Sequence, residues 1–138
     1  MNIAVRYYTL GGNTKKVADA IAAAVGTNAQ DCSVAITEPV DLLFFGGSVY
    51  GFDLDEHTKK YIESIDPALV KNIALFGTSA IVKSGNSKMD DLFNKKGINV
   101  IAQKFHCFGE YKFMRKGRPD TYDLNKAAEF AKTVVDSI

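Results

Sequence analysis

Between an apolar run that ends at Tyr8 and a helix-period segment that begins near Lys15, the chain reads Thr9-Leu10-Gly11-Gly12-Asn13-Thr14. Backbone N–H groups at the start of a helix have no intrahelical partners and point outward with the positive end of the dipole, so a turn of this kind suits a phosphate dianion. Gly11 and Gly12 let the backbone close around an anion, and Thr9 and Thr14 can add hydroxyl donors. A cradle free of charged side chains fits a terminal phosphomonoester. The P-loop of nucleotide hydrolases needs G-K-[ST] and the dinucleotide fingerprint needs G-x-G-x-x-G, and the sequence contains neither. Taken alone, the same residues also fit an ordinary strand-to-helix turn capped by Thr or Asn.

Other reactive side chains offer less. Cys32 and Cys107 are the two cysteines, far apart and in neither C-x-x-C nor zinc spacing, so no disulfide scaffold or metal site is expected and reduced thiols are. His57 follows Asp55 and Glu56 near a helix start and His106 alternates out of a late strand; both read as surface histidines. Arg115, Lys116 and Arg118 form a short basic cluster that reads as a solvated loop. No catalytic residue is singled out. With 17 basic and 16 acidic side chains in 138 residues, the net charge of +1 gives no nucleic-acid footprint and no membrane-seeking face. No run approaches a membrane span and the start carries no leader pattern, so a cytoplasmic protein is expected.

The elements that must position the loop alternate in type. Ile3–Tyr8 reads as a first strand, and Val17, Ala20, Ile21, Ala24 and Val25 mark a helix stopped by Gly26. Cys32–Ile36 is a plausible edge strand. Leu42–Gly47 is an unbroken apolar run, expected of a central strand covered on both faces. Leu54, Thr58, Tyr61, Ile62 and Ile65 trace a second helix ended by Asp66-Pro67. A buried strand at Asn72–Gly77, a short helix with Ser87 as cap, an edge strand at Val100–Phe108 and a last helix capped by Asp123 complete the series. The reading is one domain over 1–138: α/β, three layers, a doubly wound five-stranded parallel sheet in the order 2-1-3-4-5. Ligands in such sheets bind beyond the carboxyl ends of the strands, so function belongs to loops at 9–14, 48–55 and 77–86.

Tyr7-Tyr8-Thr9-Leu10-Gly11-Gly12-Asn13-Thr14 resembles the FMN-phosphate loop of flavodoxins, T/S-x-T-G-x-T after the first strand, with Gly11 where the family usually carries Thr or Ser. Gly46-Gly47-Ser48-Val49-Tyr50-Gly51 resembles the second flavin loop, Phe76-Gly77-Thr78-Ser79 falls where the third begins, and Lys116–Asp120 precedes the last helix as in some flavodoxin-domain proteins. The resemblance implies FMN held by Thr9, Leu10, Gly11, Gly12, Asn13 and Thr14 at its phosphate and by Ser48, Val49, Tyr50, Gly51, Gly77, Thr78 and Ser79 around its ring. Tyr50 would stack on the ring, Gly51 would turn a carbonyl toward flavin N5, and Thr78 and Ser79 would bond the pyrimidine edge. Typical flavodoxins are acidic and often carry a stacking Trp; this chain is nearly neutral and has none. A neutral surface with Lys83 on the flavin side should make full reduction easier than in acidic relatives.

Three functions compete. An electron carrier between a reductase and an acceptor protein, monomeric or weakly dimeric, needs no catalytic side chain. An NAD(P)H-dependent flavin or quinone reductase on the same fold would need room for a nicotinamide. A phosphoacceptor receiver would need an acidic cluster after the first strand and an Asp at the end of the third, where Thr9 and Gly46-Gly47 stand. The carrier is the expected function.

Overall fold

The computed structural model describes residues 1–50, 53–80 and 86–138, with 48–50 and 53 as backbone. Its elements are β1 (Ile3–Tyr7), α1 (Asn13–Val25), β2 (Ala29–Asp31), β3 (Val40–Tyr50), β4 (Asp53–Leu54), α2 (Glu56–Ser64), β5 (Val70–Ser79), α3 (Asn86–Lys95), β6 (Asn99–Val100), β7 (Phe105–Phe108) and α4 (Thr121–Asp136). The sheet runs β2-β1-β3-β5, with β6 and β7 in tandem along the far edge of β5. Every pairing is parallel except β3 with β4. This is the doubly wound order expected from the alternation of elements.

Period-two geometry splits the core into two layers. Leu42 and Phe44 join Val5, Tyr7, Ala74 and Phe76 under α1 and α4, while Leu43 and Phe45 join Ile73 and Leu75 under α2 and α3. All four successive β3 side chains are fully buried, which is what an apolar run without alternation signals. Each such side chain stabilises the fold by about 1.5–3 kcal/mol. Gly46, next along β3, lies beneath the Phe76 ring: a Cβ there would stand 2.1 Å from Phe76 Cε2, so the strand carries glycine for packing.

Several boundaries differ from the sequence reading. The edge strand is Ala29–Asp31, ahead of the expected 32–36, because the Asp31 carboxylate accepts from the Ser33 N–H at 2.6 Å and turns the chain out of the sheet. The last strand is broken. From the pair Ile73–Val100 to the pair Phe76–Phe105 the outer chain uses five positions against three in β5, and Ala102, Gln103 and Lys104 stand exposed. Lys104 then pairs with Asp90 of α3 at 2.8 Å. Ser87 lies inside α3, which starts at Asn86. Asp120, not Asp123, is the cap of α4.

Candidate functional site

The carboxyl ends of β1, β3 and β5 come together at one edge of the sheet, as a crossover at β1/β3 requires. The turn that leaves β1 is closed internally: the Gly12 N–H donates to Thr9 Oγ1 at 2.9 Å, and Gly12 sits at φ +92°, which L-residues with a Cβ rarely adopt. Gly12 is therefore the α1 cap, a residue with no side chain to satisfy the first-turn amides. Gly12 makes no side-chain cap bond, and no acidic residue lies in the first turn. Space above Gly11 and Gly12 is open, since a Cβ on either would meet nothing within 4 Å, and Leu10 turns outward. The result is an open turn, free of charged side chains from Thr9 to Thr14, at the positive end of a helix.

The two threonines of the turn sit differently. Thr9 keeps its hydroxyl at the turn, accepting from Gly12. Thr14 is fully buried, its hydroxyl 2.9 Å from Thr78 Oγ1, which ties the first turn of α1 to β5. Asn13 points sideways, donating from Nδ2 to Glu110 O at 2.9 Å, against Gly109, where a Cβ would lie 2.5 Å from that same nitrogen. Gly109 N in turn donates to Ser79 O at 3.0 Å. The turn is thus braced by β5 and by the segment leaving β7, and neither brace was visible in the spacing of the sequence.

The other two predicted loops begin later than expected. Ser48, Val49 and Tyr50 continue β3, and Val49 and Tyr50 pair with Leu54 and Asp53 of β4. Gly77, Thr78 and Ser79 continue β5, all three paired to β7 and the first two also to β3. The strands run on because β7 and the β3–β4 pairing supply ladder partners that local turn chemistry does not reveal. Tyr50 stacking rests on a side chain outside the description, and Gly51 and Lys83 lie outside the described residues.

His57 lies at the surface as expected, while His106 is partly buried. His57 stacks on Tyr8, centroids 4.9 Å apart and planes 7° from parallel, while its Nδ1 lies 2.9 Å from Asp55 Oδ1. Asp55 also caps α2 by accepting from His57 N at 2.8 Å. His106, partly buried, meets Ser79 Oγ at 2.7 Å, and burial holds its imidazole below the ordinary histidine range. A buried position pushes the Cys107 thiol up to about 12, which disfavours the thiolate. The basic cluster is not idle either. Arg118 forks onto Asp123 at 2.5 and 2.8 Å, and Arg115 lies 3.7 Å over the Phe108 ring. No group of residues suited to holding a metal occurs among the described residues, and no helix among them is long and apolar enough to cross a membrane.

A groove of about 480 Å³ lies at the opposite end of the sheet, between Met1–Ala4, Gly26 and the 35–40 segment. It is remote from the converging strand ends and offers none of their donors.

Comparisons with known proteins agree with this fold. Residues 4–117 match a family model described as a flavodoxin domain. An uncharacterized protein of Methanocaldococcus jannaschii is 26% identical over 138 residues, spanning 89% of this chain and 90% of its own. Among solved structures, a flavodoxin from the domain Archaea superposes with a TM-score of 0.83 at 17% identity, covering 99% of this chain and 98% of that one. Oxidised Flavodoxin 2 from Bacillus cereus gives 0.76 at 17% identity over 100% of both. The rubredoxin oxygen:oxidoreductase of Desulfovibrio gigas gives 0.78 at 12% identity, over 99% of this chain and 35% of that one.

Proposed function

Because this chain belongs to the flavodoxin domain family, we propose that it holds one FMN noncovalently and passes electrons through it between protein partners. The observation that carries this reading is the acid-free start of α1 on a glycine at the end of β1. Its backbone donors and the Thr9 hydroxyl would bind the phosphate, with Gly11 and Gly12 giving the oxygens close approach. Thr14 would act from behind, fixing the first turn to Thr78. The backbone ends of β3 and β5 would flank the flat ring, and Ser79 would be held in place there by His106. The bound flavin would supply the one- and two-electron chemistry, and the protein would supply anchoring, orientation and the local field.

The visible spectrum of the purified chain, before and after addition of FMN, tests this. The expected result is a shifted flavin band and quenched flavin fluorescence that saturate at one FMN per chain. Unchanged spectra of free flavin would overturn the reading. Sustained oxidation of NADPH by the loaded protein would replace the carrier with a nicotinamide-dependent reductase.

A further inference from the structure

The segment that leaves β7 forms a finger. Tyr111 N donates to Met114 O at 3.1 Å and Met114 N to Tyr111 O at 3.0 Å, closing a four-residue turn with Lys112 and Phe113 at its tip. Below the turn, Glu110 N donates to Arg118 O at 2.7 Å, and Gly117 N donates to Glu110 Oε1 at 2.8 Å. Arg115 lies on Phe108 and donates from Nε to Ala80 O at 3.1 Å. The finger is therefore a built element whose root touches the 9–14 turn through Asn13 and the end of β5 through Ala80.

Its tip presents what a monomer ordinarily hides. Phe113 is 94% exposed, Tyr111 47% and Met114 37%. An apolar group of this kind ringed by polar residues marks an interaction surface, and aromatic anchors beside cations are the residues that dominate binding energy. Lys112, whose Nζ lies 5.3 Å from the Tyr111 ring centre, Arg115 and Lys116 are exposed in the same segment. The nearby acids are engaged: Glu110 accepts from Gly117, Asp120 caps α4, and Asp123 holds Arg118. Lys112, Arg115 and Lys116 against Glu110 leave residues 110–116 with a formal charge of +2 on a chain of net charge +1, a modest positive patch with an aromatic centre.

We propose that the finger at 110–116 is the docking surface for an acidic redox protein, which would seat its carboxylates on Lys112 and Lys116 around Phe113. That the partner carries electrons rests on the proposed function; the sign of its surface follows from the cations on the finger. The patch is small, which suits a transient complex of the kind electron transfer needs.

The test titrates the isotope-labelled chain, with and without FMN, with rubredoxin as a small acidic electron-transfer protein and with cytochrome c as a basic one. At low salt, rubredoxin should bind with amide shifts concentrated at 110–116. The double variant K112E/K116E should weaken it about tenfold or more, Phe113→Ala about fivefold, and a rise to 0.2 M salt by a factor like that of the charge reversal. Absence of rubredoxin binding, shifts elsewhere, indifference to the variants, or preference for cytochrome c would overturn the proposal. So would a concentration-dependent homodimer abolished by Phe113→Ala, which would make a second copy the occupant. FMN uptake, read separately, should be the same in every variant. A wild-type chain that takes up no FMN yet docks rubredoxin on the finger would sink the cofactor reading and leave the surface standing.

Discussion

The helices α1 and α4 pack side by side on one face of the sheet, and their N-termini solve the same physical problem in opposite ways. α4 satisfies itself. Asp120 accepts from Asp123 N at 3.0 Å, Asp123 Oδ2 accepts from Asp120 N at 3.0 Å, and the Asp123 carboxylate is in turn held by the Arg118 fork. α1 begins on Gly12, without a capping side chain and without an acid in its first turn. Orphan amides at a helix start need partners from side chain, water or ligand. The capping box closes α4 with the chain's own carboxylates, whereas α1 starts on a glycine with no acid in its first turn, and that is where the proposed function puts a phosphate.

That contrast can be broken most sharply at Gly11. A Cβ there meets nothing within 4 Å, so Gly11→Asp should fold normally while placing a carboxylate over the donors. Repulsion of a phosphate dianion should weaken FMN binding by about a hundredfold or more, read by fluorescence titration. At the other helix the effect should fall on stability. Asp123→Asn removes the charge that holds Arg118 and should cost about 2–3 kcal/mol in denaturant unfolding, with FMN affinity unchanged. The Arg118 guanidinium holds the Asp123 carboxyl below the usual carboxylate range. Its folded pKa being lowered, the stability it contributes is complete above about pH 4 and is lost as pH falls through the lowered value, and D123N should flatten that acid limb. The smallest change sharpens the comparison in the opposite sense. Gly11→Thr restores a hydroxyl at the cradle and should tighten FMN about three- to tenfold, the worth of one added hydrogen bond.

Much of this was readable from residue order. The unbroken run Leu42–Phe45 declared a strand buried on both faces, Gly26 stopped α1 in the left-handed conformation, and the glycines at 11 and 12 marked the open turn. What escaped the sequence was long-range. That Ser48–Tyr50 and Gly77–Ser79 remain strand depends on partners in β4 and β7, not on their own turn chemistry. That Thr14 faces Thr78, and Asn13 faces Glu110, depends on how α1 lies across the sheet. The cap of α4 shifted from Asp123 to Asp120 because both acids suit an N-terminus, and only Arg118, folded back from the preceding loop, assigns their roles. His106 read as a surface residue because alternation at an edge strand predicts exposure, while the neighbouring end of β5 brings Ser79 within 2.7 Å of it.

The central claim of the proposed function is that the 9–14 turn and the positive end of α1 grip a phosphate, and calorimetry comparing FMN with riboflavin tests it most directly. The two ligands share the ring and differ only in the ester group. The account predicts one FMN bound per chain with riboflavin at least about a hundredfold weaker; equal affinity for the two, or no heat with either, would contradict it.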